Sequence, residues 1–318
     1  MSVTGLTFRG GTAADLSDTF AISARSAYHG GVRQGILPAG REPTEEQIRD
    51  DWARQRGLVE LVTAQPDARY EICEDEGRAV GYARVVRFGE IEQLTELMVE
   101  PGHQDQGVGR ALLERCWPGA PTPELGRIVI AAGAPAGLTL YTDFGVMPVA
   151  GHWHMELETD RYLEARASEL EDQSGLRVHA LEPDHAIAEW NRLEPGAIGH
   201  HRPELHEFFG RDRSCLARLD GETGHASAVC WVSGEGEIGP AVGAWPKDLA
   251  AIVISALDRV ARTQEPERLS VFTTSIAWGL LGRLRGLGFR IWWPSWIMCS
   301  VPLPGLDRYA PTRPPQLI

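Results

Sequence analysis

Leu94 to Leu113 has the sequence LTELMVEPGHQDQGVGRALL, which gives the clearest local pattern of the chain. An alternating apolar segment ends at Val99, a turn with glycines at 107 and 109 follows, and an apolar helical pattern completes the stretch. This order predicts a strand, a glycine turn and a helix. Glycine lets a ligand come close to the backbone, and the first N–H groups of a helix have no intrahelical partner. The sequence therefore predicts a helix start that binds phosphate.

The spacing within this turn resembles a known phosphate loop. Val99-x-Pro101-x-x-Gln104-x-x-Gly107-x-Gly109 is similar to the pyrophosphate-binding motif of the GCN5-related N-acetyltransferases (GNAT). In that family a Gln or Arg opens the loop, and the next N–H groups hold the diphosphate of acetyl-coenzyme A (acetyl-CoA). The resemblance implies that acetyl-CoA is the cosubstrate. The cofactor-binding residues that it implies are Leu97, Met98, Val99, Gln104, Asp105, Gln106, Gly107, Val108, Gly109 and Arg110.

The resemblance also assigns a role to the end of the strand. In the family the fourth and fifth strands splay apart, which leaves main-chain groups free. We expect the pantetheine arm to pair like an extra strand with the segment Leu97 to Val99. An N–H group of this segment would then polarise the acetyl carbonyl. Gly-x-Gly also occurs in plain turns, so the assignment depends on a second match.

That second match is the segment from Ala136 to Val146, AGLTLYTDFGV. It resembles the family's helix and strand after the fifth strand, in which a tyrosine four residues before a Gly-Phe pair faces the coenzyme's sulfur. Here the tyrosine is Tyr141, and Val146 replaces the usual phenylalanine. A phenol of ordinary pKa near 10 can protonate a departing thiolate of pKa ~8.5, so we expect Tyr141 to be the general acid. The alternative is a tyrosine that only packs in the core.

The general base is less well defined. An acidic residue directly before the Leu-x-Val segment is common among relatives, which implies Glu96. Glu92 lies four residues earlier, on the same strand face by the period of two. Either carboxylate could take the ammonium proton through water, hold a cationic acceptor, or be purely structural. Some relatives carry a Glu in the fifth strand, where this chain has Val129, and many have a pantetheine-contacting Asn, where it has Ala134.

Composition bounds the class of protein. A chain of 318 residues with 43% apolar and 24% charged residues suggests two globular domains. Its formal charge of -13 argues against nonspecific nucleic-acid binding and suits a cationic small substrate. The N-terminus lacks the regions of a signal peptide, and no apolar run reaches membrane-spanning length. We therefore expect a cytoplasmic protein without a nucleic-acid or membrane partner.

The metal-ligating and aromatic residues give no cofactor motif. The 5 cysteines are far apart and include no Cys-x-x-Cys pair, which predicts reduced, buried thiols. His152 and His154 share a predicted strand face, but no carboxylate or cysteine stands at a zinc spacing from them, so we expect no metal. Core packing is the default expectation for Trp292, Trp293 and Trp296, and an acceptor cleft is the alternative.

Local patterns predict the flanking elements. Leu6–Arg9 is a predicted strand, a helix is expected to start after Thr12, and a second helix is expected to be capped by Thr44. A short helix over 138–144 and a strand over 153–157 are predicted to complete the first half.

An internal repeat decides the domain organisation. A shift of 143 residues superposes unusual residues of the two halves, namely Gly81 on Gly224, Val99 on Val242, Gly145 on Gly288, Trp153 on Trp296 and Met155 on Met298. Self-similarity at a domain-sized offset indicates duplication. The sequence therefore predicts an α/β protein of two tandem GNAT-like domains, each a mixed, mostly antiparallel sheet flanked by helices. The predicted ranges are 1–158 for a catalytic acetyl-CoA domain, 159–174 for a linker, 175–303 for the second domain and 304–318 for a proline-rich tail.

The second copy has lost the phosphate loop. Lys247, Ala250 and Ile252 stand at the shifted positions of the loop glutamine and its two glycines. Pro240, which lacks an N–H, falls within the strand, and Leu284 takes the place of the tyrosine. We therefore expect a degenerate domain that kept its fold and lost its cofactor.

These observations predict an N-acetyltransferase that moves an acetyl group from acetyl-CoA directly to the amine of a small-molecule acceptor. Tyr141 is the expected general acid and Glu96 the expected base. The alternative is a non-catalytic sensor or interaction module that binds acyl-CoA. The protein is expected to be a monomer or a homodimer.

Overall fold

The computed structural model describes residues 5–132, 135–167, 178–312 and 317. It divides into two compact units. Unit 1 contains Met1–Val149 and Ile297–Val301, and unit 2 contains Ala150–Trp296 and Pro302–Ile318. Each unit has its own core of buried apolar side chains.

Unit 1 is a sheet with helices packed on it. Its strands are β1 (Leu6–Gly10), β2 (Arg69–Asp75), β3 (Arg78–Phe88), β4 (Ile91–Val99) and β5 (Gly126–Ala132), in that order across the sheet. β1 to β4 pair antiparallel, and β4 and β5 pair parallel. Its helices are α1 (Leu16–Arg33), α2 (Glu45–Thr63), α3 (Val108–Cys116) and α4 (Pro135–Asp143).

Local sequence signals account for the start of the first two helices. The Thr44 hydroxyl accepts a hydrogen bond of 3.2 Å from the Gln47 N–H, which confirms the predicted cap of α2. A short 3₁₀ turn over Ala13–Asp15 separates Thr12 from α1, so the α-helix starts later than the cap signal predicts. The Thr12 N–H donates to the Asp15 carboxylate at 2.8 Å, which stabilises that turn.

Unit 2 repeats the order of elements. After β6 (Met147–Glu158) and α5 (Thr159–Ala167), its strands are β7 (Val178–Leu181), β8 (Arg213–Leu219), β9 (Ala226–Ser233), β10 (Ile238–Gly243), β11 (Arg268–Thr274), β12 (Arg290–Cys299) and β13 (Tyr309–Ala310). Its helices are α6 (Pro183–Leu193), α7 (Pro195–Ile198), α8 (Pro203–Phe209), α9 (Pro246–Thr263) and α10 (Trp278–Gly286). The strand order is β6-β11-β10-β9-β8-β7, with β13 paired to β10. The predicted mixed α/β class with a mostly antiparallel sheet is confirmed.

The compact units end at other residues than the predicted domain limits. β6 extends to Met147, well before the predicted strand start at residue 153, and Arg268–Thr274 pairs with it antiparallel over His152–Glu158. This ladder places residues 150–158 in unit 2, whereas the sequence predicts a boundary after residue 158.

The predicted linker and tail are partly ordered elements of unit 2. Residues 159–167 form helix α5, and its Tyr162 hydroxyl donates to the Asp258 carboxylate of α9 at 2.7 Å. Residues 168–177, which include the predicted start of the second domain, lie outside the described residues. In the predicted tail, Leu306–Arg308 forms a 3₁₀ turn and Tyr309–Ala310 a buried strand.

All five cysteines are buried and none is in a disulfide, as the sequence predicts. Burial raises the pKa of their thiols, to about 11 for Cys73 and to about 12 for Cys116. They are therefore inert core residues.

Candidate functional site

The predicted glycine turn has the backbone conformation that a helix start of this kind needs. Gly107 is the N-cap of α3 with φ of 85°, in the left-handed region that favours glycine. Asp105 also lies in that region, with φ of 61°. A Cβ atom on Gly107 would meet nothing within 4 Å, so the space in front of the turn is open.

The N–H groups of this turn are available to a ligand. In the part of the chain that the structure describes, none of the backbone N–H groups of residues 105–110 donates to a protein acceptor, whereas the next one, that of Ala111, donates to the Gly107 carbonyl at 3.0 Å. Consecutive N–H groups at a helix start carry partial positive charge and attract anions. The arrangement can therefore hold a diphosphate.

The predicted gap between β4 and β5 is present. The two strands pair from Ile91 with Gly126 as far as Leu94 with Val129, and the ladder ends there. A register shift between β3 and β4 places a β-bulge at Thr95, where this splay begins. The remaining residues of β4 therefore face β3 on one side and an unpaired gap on the other.

Alternation along β4 decides which main-chain groups face that gap. The Glu100 N–H donates to the Val80 carbonyl at 2.8 Å, so the main-chain polar groups of Glu100 face β3. Along a β-strand, the main-chain N–H and C=O groups of successive residues face opposite neighbouring strands. The main-chain N–H group of Met98 therefore faces β3 as well, whereas the N–H groups of Leu97 and Val99 face the gap. The sequence predicts the same cofactor-binding role for all three residues. The strand pairing shows that only Leu97 and Val99 have N–H groups facing the gap.

Three polar side chains of the loop form contacts that hold its backbone in place. The Gln104 side-chain amide donates to the Val99 carbonyl at 2.8 Å, and the Gln106 amide donates to the Gly102 carbonyl at 2.9 Å. Arg110 forms an ion pair with Asp143 at the end of α4. These three side chains fix the loop and leave its N–H groups to a ligand.

Tyr141 lies on the helix that packs against this loop. Its neighbour Leu140 comes within 3.7 Å of the position of a Cβ on Gly109. Tyr141 is half-buried against the core of unit 1, and its hydroxyl has no hydrogen-bond partner among the described residues. Removal from water raises its pKa to about 12, so the phenol stays protonated. It is therefore available as a proton donor.

Glu96 lies at the splay and is already held by two partners. Its carboxylate accepts a hydrogen bond of 2.8 Å from the Tyr82 hydroxyl and forms an ion pair with Arg84. The Arg84 side chain is only 1% exposed, and its guanidinium lies over the Tyr70 ring at 4.7 Å. Arg84 and Tyr82 are not among the residues that the sequence motifs predict for the site. The available signal was a lone charge within the apolar run AVGYARVV of β3.

The expectation that Glu92 and Glu96 share a strand face is wrong. The bulge at Thr95 adds a residue between them, so the alternation is reversed beyond it. Glu92 is 2% exposed and pairs with Arg69 at 2.6 Å and Arg127 at 3.5 Å. It is a buried structural carboxylate.

Two departures from the family pattern fall at different places. Val129 is buried in β5, with no carboxylate at that position. Ala134, at the position of the family's pantetheine-contacting Asn, lies outside the described residues.

Comparison with known proteins supports this geometry. Residues 66–145 match the family model described as "Acetyltransferase (GNAT) domain". The segment includes β4, the glycine turn, α3, β5 and α4. No curated protein matches the chain.

Solved structures match nearly the whole chain. A tandem GNAT protein from the clavulanic acid biosynthesis pathway has a TM-score of 0.58 at 16% identity, over 93% of this chain and 99% of that one. Residues 66–145 therefore match a GNAT acetyltransferase domain, and the chain as a whole shares the fold of this tandem GNAT protein. A protein from Pyrococcus horikoshii described as a candidate acetyltransferase has a TM-score of 0.67 at 15% identity, over 97% of this chain and 94% of that one. A GCN5-related N-acetyltransferase from Sphaerobacter thermophilus has a TM-score of 0.60 at 16% identity, over 94% of this chain and 96% of that one. At these identities the likeness concerns the fold.

The second half of the chain has a different helix start. α9 begins at Pro246, and the N–H groups of Asp248 and Leu249 both donate to the Trp245 carbonyl, at 2.9 and 3.2 Å. A Cβ on Gly243 would stand 2.5 Å from the Leu249 nitrogen, so the chain turns tightly into the helix. This start lacks the open cradle of unit 1.

The gap beside β10 is filled by the chain itself. β10 and β11 pair only at Ile238 and Val271, and β13 pairs with β10 through Ala241–Ala310 and Val242–Tyr309. Ala241 and Val242 are the shifted equivalents of the unit 1 strand residues at 98 and 99. The C-terminal segment therefore lies where the family resemblance places a pantetheine arm.

Buried polar groups hold this segment. The Tyr309 hydroxyl accepts from Arg202 at 2.6 Å, and Arg202 also pairs with Glu194. Burial alone would raise the pKa of Glu194, but Arg202 and His206 together hold it well below its ordinary value. The strand that fills the gap beside β10 is thus hydrogen-bonded to a buried charged cluster in unit 2.

Two final observations concern metals and membranes. No group of three or more His, Cys, Asp or Glu residues in the described ranges is placed to hold a metal ion. His152 and His154 both stack on the Phe272 ring, at 4.9 and 4.6 Å between centroids. None of the described helices combines the length and the apolar character that a membrane crossing requires.

Proposed function

We propose that this protein is an N-acetyltransferase that moves an acetyl group from acetyl-CoA directly to the amine of a small-molecule acceptor. One observation carries the proposal. The N–H groups of residues 105–110 have no protein acceptor among the described residues, and they stand beside an open gap in the sheet. A diphosphate and an extended arm fit these two features together.

Within this proposal the loop from Gln104 to Arg110 holds the diphosphate of the coenzyme. The N–H groups of Leu97 and Val99 donate to the pantetheine arm, and Met98 lies between these two residues on β4. The coenzyme, when bound, supplies an acetyl thioester. One N–H group facing the gap would stabilise negative charge on the thioester oxygen.

The proton transfers are assigned to two side chains. The acceptor nitrogen forms a bond to the acetyl carbon as the carbon–sulfur bond breaks, and the Tyr141 hydroxyl gives its proton to the departing thiolate. The nitrogen then loses its second proton through water, which restores the Tyr141 hydroxyl and leaves a neutral amide. Glu96 takes a proton of the acceptor ammonium through water. Because Arg84 and Tyr82 already hold its carboxylate, Glu96 is rigid and faces the splay in one orientation.

Unit 2 has a structural role in this proposal. Its helix start is closed and its gap holds Tyr309 and Ala310, so we propose one coenzyme site per chain. The acceptor is a small molecule that carries an amine. The protein acts as a monomer or homodimer in the cytoplasm.

The test combines binding with turnover. Calorimetry of coenzyme A with the wild-type protein measures the first step. A thiol-release assay with acetyl-CoA over a panel of amines, including polyamines, aminoglycosides, amino acids and peptide N-termini, measures the second. The proposal requires coenzyme binding and thiol release with at least one amine class, and absence of coenzyme binding would exclude it.

A second candidate function is a sensor that binds acyl-CoA without turnover. The engagement of Glu96 by Arg84 and the structural pairing of Glu92 favour it, because each carboxylate already has a guanidinium partner. Tight coenzyme binding together with silence over the whole amine panel would support the sensor.

A further inference from the structure

Unit 2 contains a groove whose lining includes no residue of the glycine loop or of the strand Tyr309–Ala310. It occupies about 430 Å³ where β6 and β11 meet the start of α5, the end of α10 and the beginning of β12. Pockets of this size are typical of small-molecule sites.

The groove has an apolar floor and an aromatic wall. Leu157 and Leu287 form the floor and are 7% and 3% exposed. Trp292 forms a wall and remains 38% exposed, against the expectation that it packs in the core. The His154 ring stands edge-on to Trp292, with centroids 5.2 Å apart and an interplanar angle of 85°. The Trp293 ring also lies near Trp292, with centroids 5.6 Å apart. The part of the indole that stays exposed is available to stack with a ligand ring.

The rim of the groove carries an uncompensated positive charge. Arg268 pairs with Glu156 at 3.1 Å, and Arg161 pairs with Glu158 at 3.3 Å. Arg290, on the same rim, has no hydrogen bond or ion pair within the described ranges. The groove is thus locally cationic on a chain whose formal charge is -13.

We propose that this groove binds a small aromatic monocarboxylate. The ligand carboxylate would accept two hydrogen bonds from the Arg290 guanidinium in bidentate geometry. The ligand ring would stack on Trp292. A phosphate or other dianion fits less well, because Glu156 and Glu158 stand on the same rim. A cationic ligand would meet Arg290 with no compensating charge. The proposal is independent of acyl transfer.

The experiment uses the full chain and two matched probes. Indole-3-acetate and its neutral amide, indole-3-acetamide, are titrated separately and followed by ligand-observed NMR. The acid should bind at least about tenfold more tightly than the amide, because one charge-assisted contact distinguishes them. Arg290→Gln and Trp292→Leu should each weaken binding of the acid about tenfold or more.

Two controls separate this site from other causes. Arg259→Gln removes an exposed arginine of α9 outside the groove and should leave binding unchanged. Gly107→Val alters the coenzyme loop of unit 1 and should also leave it unchanged. Equal binding of acid and amide, no binding to the wild type, or equal effects of Arg290→Gln and Arg259→Gln would overturn the proposal, whatever the fate of the transferase activity.

Discussion

The Gln104 side-chain amide donates a 2.8 Å hydrogen bond to the main-chain carbonyl of Val99. Ser26 donates to the same carbonyl at 3.0 Å, so this acceptor is fully used inside the protein. The contact ties the glycine loop to the end of β4. Gln104 therefore fixes the loop relative to the end of β4, and in the proposed function the phosphate contacts come from the backbone.

Gln104→Ala should weaken coenzyme binding about tenfold, since it removes one hydrogen bond that orders the loop. Gln65→Ala is the matched control, because the Gln65 amide also donates to a main-chain carbonyl, that of Leu61 at 3.2 Å, but lies outside the loop. Calorimetry with coenzyme A measures both variants. Equal losses in the two would mean that the bond to Val99 does not position the loop.

Tyr141→Phe should lower turnover by about 10²-fold while the Kd for acetyl-CoA changes less than about twofold, because a lost proton donor affects only the chemical step. The pKa of about 12 for Tyr141 has a further consequence. The acid form persists up to about pH 11, so the turnover of the wild type should show no alkaline loss from this group below that pH. Steady-state kinetics over pH tests both statements, and unchanged turnover in the variant would remove Tyr141 from the mechanism.

Coenzyme A should bind with a stoichiometry of one per chain. In unit 2 the strand pair Val242–Tyr309 occupies the gap, and Arg202 and Glu194 hold the tyrosine. Tyr309→Phe, which removes only the hydroxyl, should destabilise unit 2 by about 1–3 kcal/mol, because the buried Arg202 guanidinium loses one hydrogen-bond acceptor, and should leave the stoichiometry at one. Calorimetry and denaturant unfolding measure the two effects. Two equivalent coenzyme sites would contradict the closed second copy.

His152 should make folding stability depend on pH. Burial lowers its pKa to about 3, whereas the ordinary value is 6.5. Between these values the unfolded chain binds a proton and the folded chain does not, so stability falls as the pH falls from 6.5 toward 3. The contribution is about 1.4 kcal/mol per pH unit.

The variant His152→Leu should show a shallower loss of unfolding free energy over that window by about the same amount. His200, whose pKa burial lowers to about 4, remains in the variant, so part of the acid sensitivity should persist. His179→Leu, at an exposed position in β7, is the control. Denaturant titrations at several pH values measure the slopes, and identical slopes in both variants would show that His152 is not buried as described.

Features that depend on short spacings follow from the sequence. The strand, glycine turn and helix from Leu94 to Leu113 are confirmed, because alternation and two glycines specify them locally. The cap at Thr44 is confirmed for the same reason.

Features set by pairing between distant segments do not follow from it. The bulge at Thr95 depends on the register with β3, so the pattern of β4 alone misplaces Glu92 relative to Glu96. The partner of Glu96 is Arg84, on another strand. The strand Tyr309–Ala310 has only two residues in a segment rich in proline, and only its pairing with β10 defines it. The site residues inferred from family resemblance, Tyr141 and Glu96 among them, stay predictions until kinetics tests them.

Calorimetric titration of coenzyme A into the wild type, Gly107→Val and Gly102→Val tests whether the helix start of α3 binds a diphosphate. Gly107 has φ of 85°, which a β-branched residue adopts only with strain, whereas Gly102 also has open space around it and a conformation open to other residues. Gly107→Val should weaken binding at least about 10²-fold, whereas Gly102→Val should stay within a few-fold of the wild type. If the wild type binds no coenzyme A, or if both variants bind it like the wild type, the backbone of this helix start does not hold a diphosphate.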